Sequence, residues 1–387
     1  MFTADPDMQP TDCKGGTMPP VQGMNQGEID YFDPKTKYPQ NLRAALGGDR
    51  RLTSELTATA DLMYTRDVNA FYTNDANLVD LGHDAEREMY GTVVAGPRDT
   101  ITATPTRIDG AHLAQAIKVN NANGGGRVYS ATVQLQKQFG DRGDLSVGYT
   151  YSNAADLMSF TSSRAISNFQ FTPVDGSLGG RHLRPSAFDR PHKITVSGTA
   201  RLPYGAALGL TYVGQSGAPY SYTVTGDVNA DRVNGNDLVF VPADPSQITL
   251  QNPDQYGDLE KFINQESCLR YSRGHTINRG ACRNPWANFL NLRLSWLSPK
   301  ISAGKMENRF ELQFDIFNVL NLLNSDWGVL DSAAQFETGP SFLKAVGYDN
   351  ANRRPIYQFV RPAAVEQTIY NPTTSRWRMQ LGLRYTF

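Results

Sequence analysis

The segment DVNADRVNGND places oxygen-bearing side chains at the spacing of a calcium-binding loop. Asp227, Asn229 and Asp231 stand at its first, third and fifth positions, and Asp237 offers a further carboxylate. Loops of the EF-hand type take oxygen ligands at those alternate positions and have glycine at the sixth. The sixth residue here is Arg232, and a polar turn rich in Asn, Asp and Gly explains the same residues. The spacing therefore predicts either a weak calcium site or a polar turn.

The three cysteines differ in their surroundings. Cys268 and Cys282 are fourteen residues apart and fall within one long connection of the strand pattern described below. In an oxidising compartment such a pair can close a disulfide bond. Cys13 is then unpaired within this chain or bonded to a partner that precedes it.

Residues that would carry catalysis are missing from the sequence. No two histidines stand four residues apart; the five are His83, His112, His182, His192 and His275. No HExxH, GxSxG or Walker-type segment occurs, and GQSGAP has one glycine at the wrong position for a nucleophile elbow. We therefore expect no enzyme activity, no catalytic residue and no cofactor, with calcium as the one ion to consider.

Composition restricts the fold class. Charged residues make up 19% of the 387 residues, below the roughly 25% usual for soluble domains, and the net charge is -1. The chain contains 34 glycines and 22 prolines, and 10% of its residues are aromatic, which is typical of many short strands separated by turns. The charge gives no basic surface for nucleic acid, and no apolar run reaches the roughly 18 residues of a membrane-spanning helix.

Alternation of apolar and polar residues predicts nine two-faced strands. In RVYSATVQLQKQF, for example, Tyr129, Val133 and Leu135 share one face, while Gln134 and Gln136 share the other. The nine predicted strands are residues 41–51, 55–67, 127–139, 144–152, 191–202, 206–215, 288–297, 308–318 and 376–387.

The connections between these strands alternate between short and long. Tight turns alternate with connections of several tens of residues, a pattern expected of an antiparallel transmembrane β-barrel with periplasmic turns and long extracellular loops. The last strand ends at Phe387, which would place that end, and every short turn, in the periplasm. A soluble all-β sandwich is the alternative, although long structureless loops are uncommon in compact domains.

Four segments resemble a known family. They are FDRPHKITVSGTARLPYG, CLRYSRGHTINRGACRNPW, RFELQFDIFNVLNLLN and the terminal RWRMQLGLRYTF. In this order they resemble the C-terminal barrel region of TonB-dependent outer-membrane receptors of the Oar-like subclass. The resemblance implies a 22-stranded barrel with an N-terminal plug, which imports a ligand with energy passed through TonB.

The sequence departs from that family at its start. MFTADPDMQPTDCKGG has neither a basic region nor an apolar core of a signal peptide, and neither a plug nor a TonB box precedes the strands. We therefore expect residues 1–387 to be a C-terminal barrel segment, either a piece of a longer exported chain or a truncated product. The other interpretation of a start without a signal peptide is that the protein is cytoplasmic.

The expected role is ligand binding and uptake in the cell outer membrane. The expected partners are outer-membrane lipid, the missing plug and barrel strands, TonB acting through the plug, and a ligand that the sequence does not identify. A secreted or surface β-rich binding or adhesion module is the alternative from another class, and a barrel hydrolase is more distant. Solubility without detergent would favour the adhesion module.

Overall fold

A computed structural model describes residues 27–122, 124–303, 306–332, 339–362, 368–369 and 375–387. The chain builds a sheet of nine long strands, here called the wall, and a folded body at one end of it, here called the head. The head consists of the described parts of the four long connections, residues 69–126, 157–191, 216–286 and 318–377, together with residues 27–32.

All nine predicted strands are present in the wall. They are β1 (Gln40–Arg51), β2 (Leu56–Val68), β3 (Arg127–Gln138), β4 (Gly143–Asp156), β5 (His192–Arg201), β6 (Ala206–Gln215), β7 (Ala287–Leu297), β8 (Met306–Phe317) and β9 (Arg378–Thr386). Each strand pairs antiparallel with the next one along the chain. The largest difference from the prediction is in β4, which continues beyond residue 152 to Asp156.

The register of the wall collects apolar side chains on one face. Leu294 of β7, for example, lies opposite Leu208 of β6 and Phe314 of β8. Because side chains alternate along a strand, this pairing repeats across the sheet and produces one continuous apolar face. The face is open to the surroundings: Leu381 and Leu383 are 70% and 73% exposed.

The opposite face of the wall is polar, and its side chains pair with one another. Arg293 Nε donates to Asp315 Oδ1 over 2.6 Å, and Gln134 Nε2 donates to Ser146 Oγ over 2.7 Å. These contacts link neighbouring strands across the register. The two-faced strand pattern predicted from the sequence is therefore confirmed in both its apolar and its polar half.

Aromatic side chains lie towards both ends of the apolar face. The rings of Tyr64 and Tyr129 are 4.9 Å apart towards the head, and those of Phe310 and Tyr385 are 4.9 Å apart towards the opposite end. Also at the opposite end, the indole N–H of Trp296 donates to a backbone carbonyl over 3.0 Å. Rings in such positions suit the interfaces of a bilayer.

A tight turn joins β5 to β6 through PYG, a short 3₁₀ helix (Pro203–Gly205). Tyr204 and Gly205 have φ angles of +62° and +80°. A Cβ atom at Gly205 would lie 2.3 Å from the carbonyl oxygen of Leu297, so only glycine fits at this position. The turn keeps the two strands in register at the end away from the head.

The wall is open along its two outer strands. Among the described residues, β1 pairs only with β2, and β9 pairs only with β8. Each outer strand therefore presents a row of backbone N–H and C=O groups that lacks a neighbouring strand.

The head has its own secondary structure. Its short strands are Gly27–Phe32, Phe71–Asp75, Gly91–Ala95, Ile101–Pro105, Leu113–Asn121, Arg184–Pro185, Pro219–Tyr220, Phe240–Val241, Thr249–Leu250, His275–Thr276, Cys282–Arg283, Asp331–Ser332, Leu343–Asp349, Arg354–Phe359 and Thr368–Ile369. Its helices are α1 (Ala165–Phe171), α2 (Tyr256–Gln265), α3 (Ser267–Arg270) and α4 (Val319–Leu323), with 3₁₀ turns at Pro245–Gln247 and Pro253–Gln255. A further short strand, Ile301–Ala303, pairs with the start of β8. In the ranges described, none of the helices has the length and apolarity needed to cross a membrane.

A hydrophobic core holds the head together. Residues of the third and fourth long connections supply most of it, and Tyr222, Phe262 and Phe342 lie at its centre. The rings of Phe262 and Phe342 are 4.9 Å apart, and Tyr222 meets Phe342 edge to face at 5.3 Å. The prediction of long loops was correct in position, and the structure adds that these loops fold onto one another. Buried apolar residues alternate within some strands of the head, such as Arg354–Phe359, but these strands are short, and period-two analysis could not show that they pack together.

A charge on the apolar face should weaken the fold, whereas a charge on the polar face should not. We expect Leu292→Arg to cost about 2–4 kcal/mol in a bilayer, because Leu292 lies at the middle of β7 on the apolar face and a guanidinium near the midplane loses its hydration. Ser295→Arg, three residues further along β7 and on the polar face, should change stability little. Urea unfolding in lipid vesicles measures both, and equal effects of the two variants would contradict the assignment of faces.

Candidate functional site

Charged side chains at the end of the wall hold the head in place. Asp189 is buried and accepts a hydrogen bond from the backbone N–H of Ala154 in β4, over 2.7 Å. Its other oxygen accepts from Arg283 Nη2, also over 2.7 Å. Asp189 belongs to the FDRPH segment and Arg283 to the ACRNPW segment. Two motifs distant in sequence therefore meet at one ion pair, in which the aspartate is buried and the arginine side chain is 32% exposed.

A second ion pair ties the third long connection to β4. Arg279, almost fully buried, donates from Nη2 to Asp156 Oδ1 over 2.7 Å. Burial alone would raise the pKa of nearby Asp175, but hydrogen bonds from Arg184, the Arg279 backbone and His182 hold that pKa below its usual value. Asp175 thus remains ionised and links the second long connection to the third.

A cleft of about 220 Å³ opens between four segments of the head. Two neighbouring residues from the first long connection, Glu86 and Arg87, contribute to its walls together with Asp175, Arg184 and Asp237. These charged groups come from three of the four long connections: Glu86 and Arg87 from the first, Asp175 and Arg184 from the second, and Asp237 from the third. The cleft therefore exists only because the connections fold together.

Glu86 and Arg87 form a buried pair within this cleft. Glu86 Oε2 accepts from Arg87 Nη2 over 2.6 Å and from the hydroxyl of Tyr357 over 2.7 Å. Arg87 Nη1 lies 3.5 Å from Asp237 Oδ1. Burial raises the pKa of Glu86, although the charge of Arg87 and the hydrogen bonds from Tyr357 and Arg87 act to lower it.

The four residues predicted to bind calcium lie together in one loop beside the cleft. Both oxygens of Asp227 accept from the backbone, from the N–H groups of Asp231 and Arg232. Asn229 Oδ1 accepts from the Asp231 N–H over 2.9 Å, and Asp237 Oδ2 accepts from the Val228 N–H over 3.1 Å. These side-chain oxygens therefore accept hydrogen bonds from the backbone of their own loop and stabilise its turn.

The turn at the sixth position is made without glycine. Arg232 has a φ angle of +72°, in the left-handed region where the glycine of an EF-hand loop would stand. Arg232 therefore makes the sharp bend that glycine makes in an EF-hand loop. A non-glycine residue in this left-handed conformation carries backbone strain. Asp231 is fully buried beneath it.

The carboxylates of this loop are close enough to repel one another. Burial, with the charges of Asp231 and Asp237, raises the pKa of Asp227 to about 8. Burial also raises the pKa of Asp237 to about 7; the charge of Arg87 acts to lower this pKa, and the charge of Asp231 acts to raise it. Burial likewise raises the pKa of Asp231. Nowhere in the described chain do three His, Cys, Asp or Glu side chains stand in a metal-holding arrangement. Calcium binding would need Asn229 and backbone carbonyls as well, and it stays a prediction.

Cys268 and Cys282 are joined by a disulfide bond in the structure, with their Cα atoms 5.2 Å apart. The bond fastens α3 to the short strand Cys282–Arg283, next to the hydrophobic core of the head. Cys13, predicted to be unpaired or bonded to a preceding partner, lies outside the described residues.

Apart from Asp237, the charged groups of the cleft were not identified by sequence analysis. Glu86 pairs with Tyr357, which is 271 positions away, and Asp156 pairs with Arg279, which is 123 positions away. Such pairs have no local spacing, so a single sequence carries no signal for them. The one available hint was the density of charge in GHDAERE, which precedes a predicted strand by many residues.

Comparison with known proteins identifies a family for most of the chain. Residues 3–336 match the family model described as outer membrane beta barrel domain. Among curated proteins none matches. Similar solved structures include the crystal structure of the outer membrane transporter YddB from Escherichia coli, at 15% identity and a TM-score of 0.43. The similarity covers 86% of this chain and 32% of that one, so the chain spans about a third of the transporter's length.

Calcium should order the loop if the predicted site exists. Hard oxygen ligands in extracellular modules bind calcium at about 10⁻⁴–10⁻³ M, so millimolar calcium should slow tryptic cleavage after Arg232, which is exposed. Asp231→Ala should abolish this protection, whereas Asp258→Ala, at an exposed position of α2, should not. If calcium changes neither the cleavage of the native loop nor the heat in titration calorimetry, the segment is only a polar turn.

The disulfide should be present in exported protein and should stabilise the head. Closing a loop of this size contributes about 3 kcal/mol in the chain-entropy model. We expect mass mapping of non-reduced peptides to recover Cys268 and Cys282 as one linked species, and Cys268→Ser to increase proteolysis of the head. Recovery of both thiols in free form would contradict the bond.

Proposed function

The chain belongs to the outer membrane β-barrel domain family, and we propose that it forms the C-terminal part of the barrel of a TonB-dependent receptor of the Oar-like subclass. Its location is the outer membrane. In this role the chain takes part in ligand binding and uptake, with no catalysis of its own. The observation that carries the proposal is the apolar face that runs unbroken across nine antiparallel strands with long connections at one end.

The two faces of the wall suit different surroundings. An exposed apolar face flanked by aromatic rings fits lipid, because every backbone group between paired strands is already hydrogen-bonded. The polar face, with the Arg293–Asp315 pair, fits a hydrated lumen or the surface of a plug domain. The head then stands outside the cell, where a receptor first meets its ligand.

The two outer strands, each with one unpaired edge, favour the proposal that a partner supplies further strands. Nine alternating strands leave β1 and β9 running in the same direction, so an all-antiparallel closure needs an odd number of additional strands. A 22-stranded barrel would add thirteen, which meets this condition. A second copy would also add an odd number of strands, nine, but in the same membrane orientation its β1 would lie parallel to β9 and would not continue the antiparallel pairing.

The remaining partners follow from the family resemblance. A plug domain would fill the lumen, and TonB would act on the plug and would not touch this chain. The ligand is a small molecule or peptide that the head recognises. We include no nucleic acid among the partners, because the net charge of -1 offers no basic surface.

The folded head favours one alternative function. A body with its own hydrophobic core at the end of a wall could present an adhesive surface. An adhesion module would bind a surface without moving a solute, and its action would not depend on the energy of the inner membrane.

Energy dependence separates uptake from adhesion. We expect cells that carry the gene to deplete at least one compound from the medium faster than a deletion strain, because the receptor imports it. A protonophore should remove this difference, since TonB draws on the proton gradient. Mass spectrometry of spent medium measures the depletion, and complementation of the deletion strain is the control. Equal depletion in both strains, with loss of surface attachment in the deletion strain, would favour adhesion.

A further inference from the structure

We propose that Arg66 and Arg127 bind the phosphate of a membrane lipid, on the apolar face of the wall close to the head. This inference goes beyond the proposed uptake role, because it concerns the lipid around the wall and not a solute. It needs only the outer-membrane location and the assignment of faces. The argument comes from the strand register, the charges beside the two arginines and the shape of the surface next to them.

The two arginines lie side by side on the apolar face. Arg66 of β2 is directly opposite Arg127 of β3, and both side chains are exposed. Each follows a tyrosine of that face, Tyr64 or Tyr129, by two residues, so it points to the same side of the sheet. Two residues of a strand span about 7 Å. The guanidinium groups are therefore attached just beyond the aromatic rings, on the side of the head, where lipid headgroups begin.

No negative charge stands beside this pair. The residue on the other side of Arg66 is Leu42, and the residue on the other side of Arg127 is Ala155. Among the residues that the structure describes, no carboxylate pairs with either arginine. The guanidinium carbon of Arg127 lies over the ring of Tyr129, 5.9 Å from its centre. Both positive charges are thus available to an anion from outside the chain.

This juxtaposition of like charges is special to one place in the wall. In its described strands, no other two cationic residues stand directly opposite each other. Like charges in directly opposite positions destabilise a sheet. An anion held between Arg66 and Arg127 would replace this repulsion by two attractions.

The spacing of the pair suits a phosphate group. Side chains directly opposite each other have Cβ atoms about 5 Å apart, so both guanidinium groups can reach one anion. A phosphate monoester carries up to two negative charges and three acceptor oxygens. The planar fork of an arginine matches such oxygens in pairs. One phosphate can therefore accept hydrogen bonds from both arginines at once.

A shallow apolar groove of about 450 Å³ begins next to the arginines and runs away from the head. It forms because small side chains stand beside large ones. Ala44 is opposite Tyr64, and Ala131 stands between Leu62 and Tyr151. An acyl chain in this groove would leave its own headgroup at the arginines. Every membrane lipid has acyl chains, so the groove sets the position of the lipid and the arginine pair selects the phosphate.

The experiment compares three probes: dioctanoyl phosphatidic acid, dioctanoylglycerol and glycerol 3-phosphate. The first has chains and phosphate, the second has only the chains, and the third has only the phosphate. Titration calorimetry uses the protein extracted from outer membranes in a non-ionic detergent. A chelator removes divalent cations, which could otherwise join a phosphate to a carboxylate. We expect phosphatidic acid to bind at least tenfold more tightly than either of the other two probes.

A double variant tests the two arginines. We expect Arg66→Gln/Arg127→Gln to weaken the binding of phosphatidic acid at least tenfold. The matched control is Arg43→Gln/Lys193→Gln, which also removes two positive charges from exposed positions of the wall. Arg43 and Lys193 lie on the polar face, opposite Thr65 and Thr150. The control variant should bind phosphatidic acid as the unmodified protein does.

Four results would each overturn the proposal. Equal binding of phosphatidic acid and dioctanoylglycerol would show that the phosphate is not recognised. Equal binding of phosphatidic acid and glycerol 3-phosphate would point to a site for free phosphate and not for a lipid. Unchanged binding by the arginine variant, or an equal loss in the control variant, would remove the pair as the cause. The comparison of the three probes decides the matter even if the arginine variant does not fold.

Discussion

The wall depends on the pairing of its backbone. In lipid, an N–H or C=O group without a partner costs several kcal/mol, so strands that face hydrocarbon must be hydrogen-bonded on both sides. Seven of the nine strands meet this requirement within the described chain, and the two outer strands do not. The alternation of side chains then follows from the pleat, which sends every second residue towards lipid. The antiparallel fold and the membrane location agree with this one constraint, and our proposal that further strands complete the barrel rests on it.

The head obeys a different rule. Apart from Arg184–Pro185, its segments lie outside the sheet of the wall, so the head is stabilised by a hydrophobic core, a disulfide bond and ion pairs in which one partner is buried. Buried ion pairs contribute little net stability, but breaking one leaves a costly unpaired charge. Their effect is to select one arrangement of the connections. The Asp189–Arg283 and Asp156–Arg279 pairs both stand where the head meets β4, which fixes the orientation of the cleft relative to the wall.

Much of the wall could be predicted from the sequence, but little of the cleft. Alternation is a local signal, and Leu208, Leu210 and Tyr212 reveal a strand without knowledge of the partner strand. The residues Asp227, Asn229 and Asp231 likewise form a turn whose side-chain oxygens accept backbone hydrogen bonds, while calcium binding stays a prediction. The structure then showed that Arg232 makes the bend expected of glycine. The charged pair at Glu86 depends on Tyr357, whose position is set by packing of the head, and a single sequence holds no record of that contact.

The length of β4 has a mechanical consequence. The strand continues past the predicted boundary to Asp156, and its last residues pair with Arg184–Pro185 of the head. The head is therefore joined to the wall by a continuous hydrogen-bonded ladder at this point and not by a free hinge. To tilt the head as a lid, the molecule would have to break that ladder together with the Asp156–Arg279 pair. If the proposed uptake role is correct, a solute would enter between the connections without a tilt of the head, and the width of those gaps would limit its size.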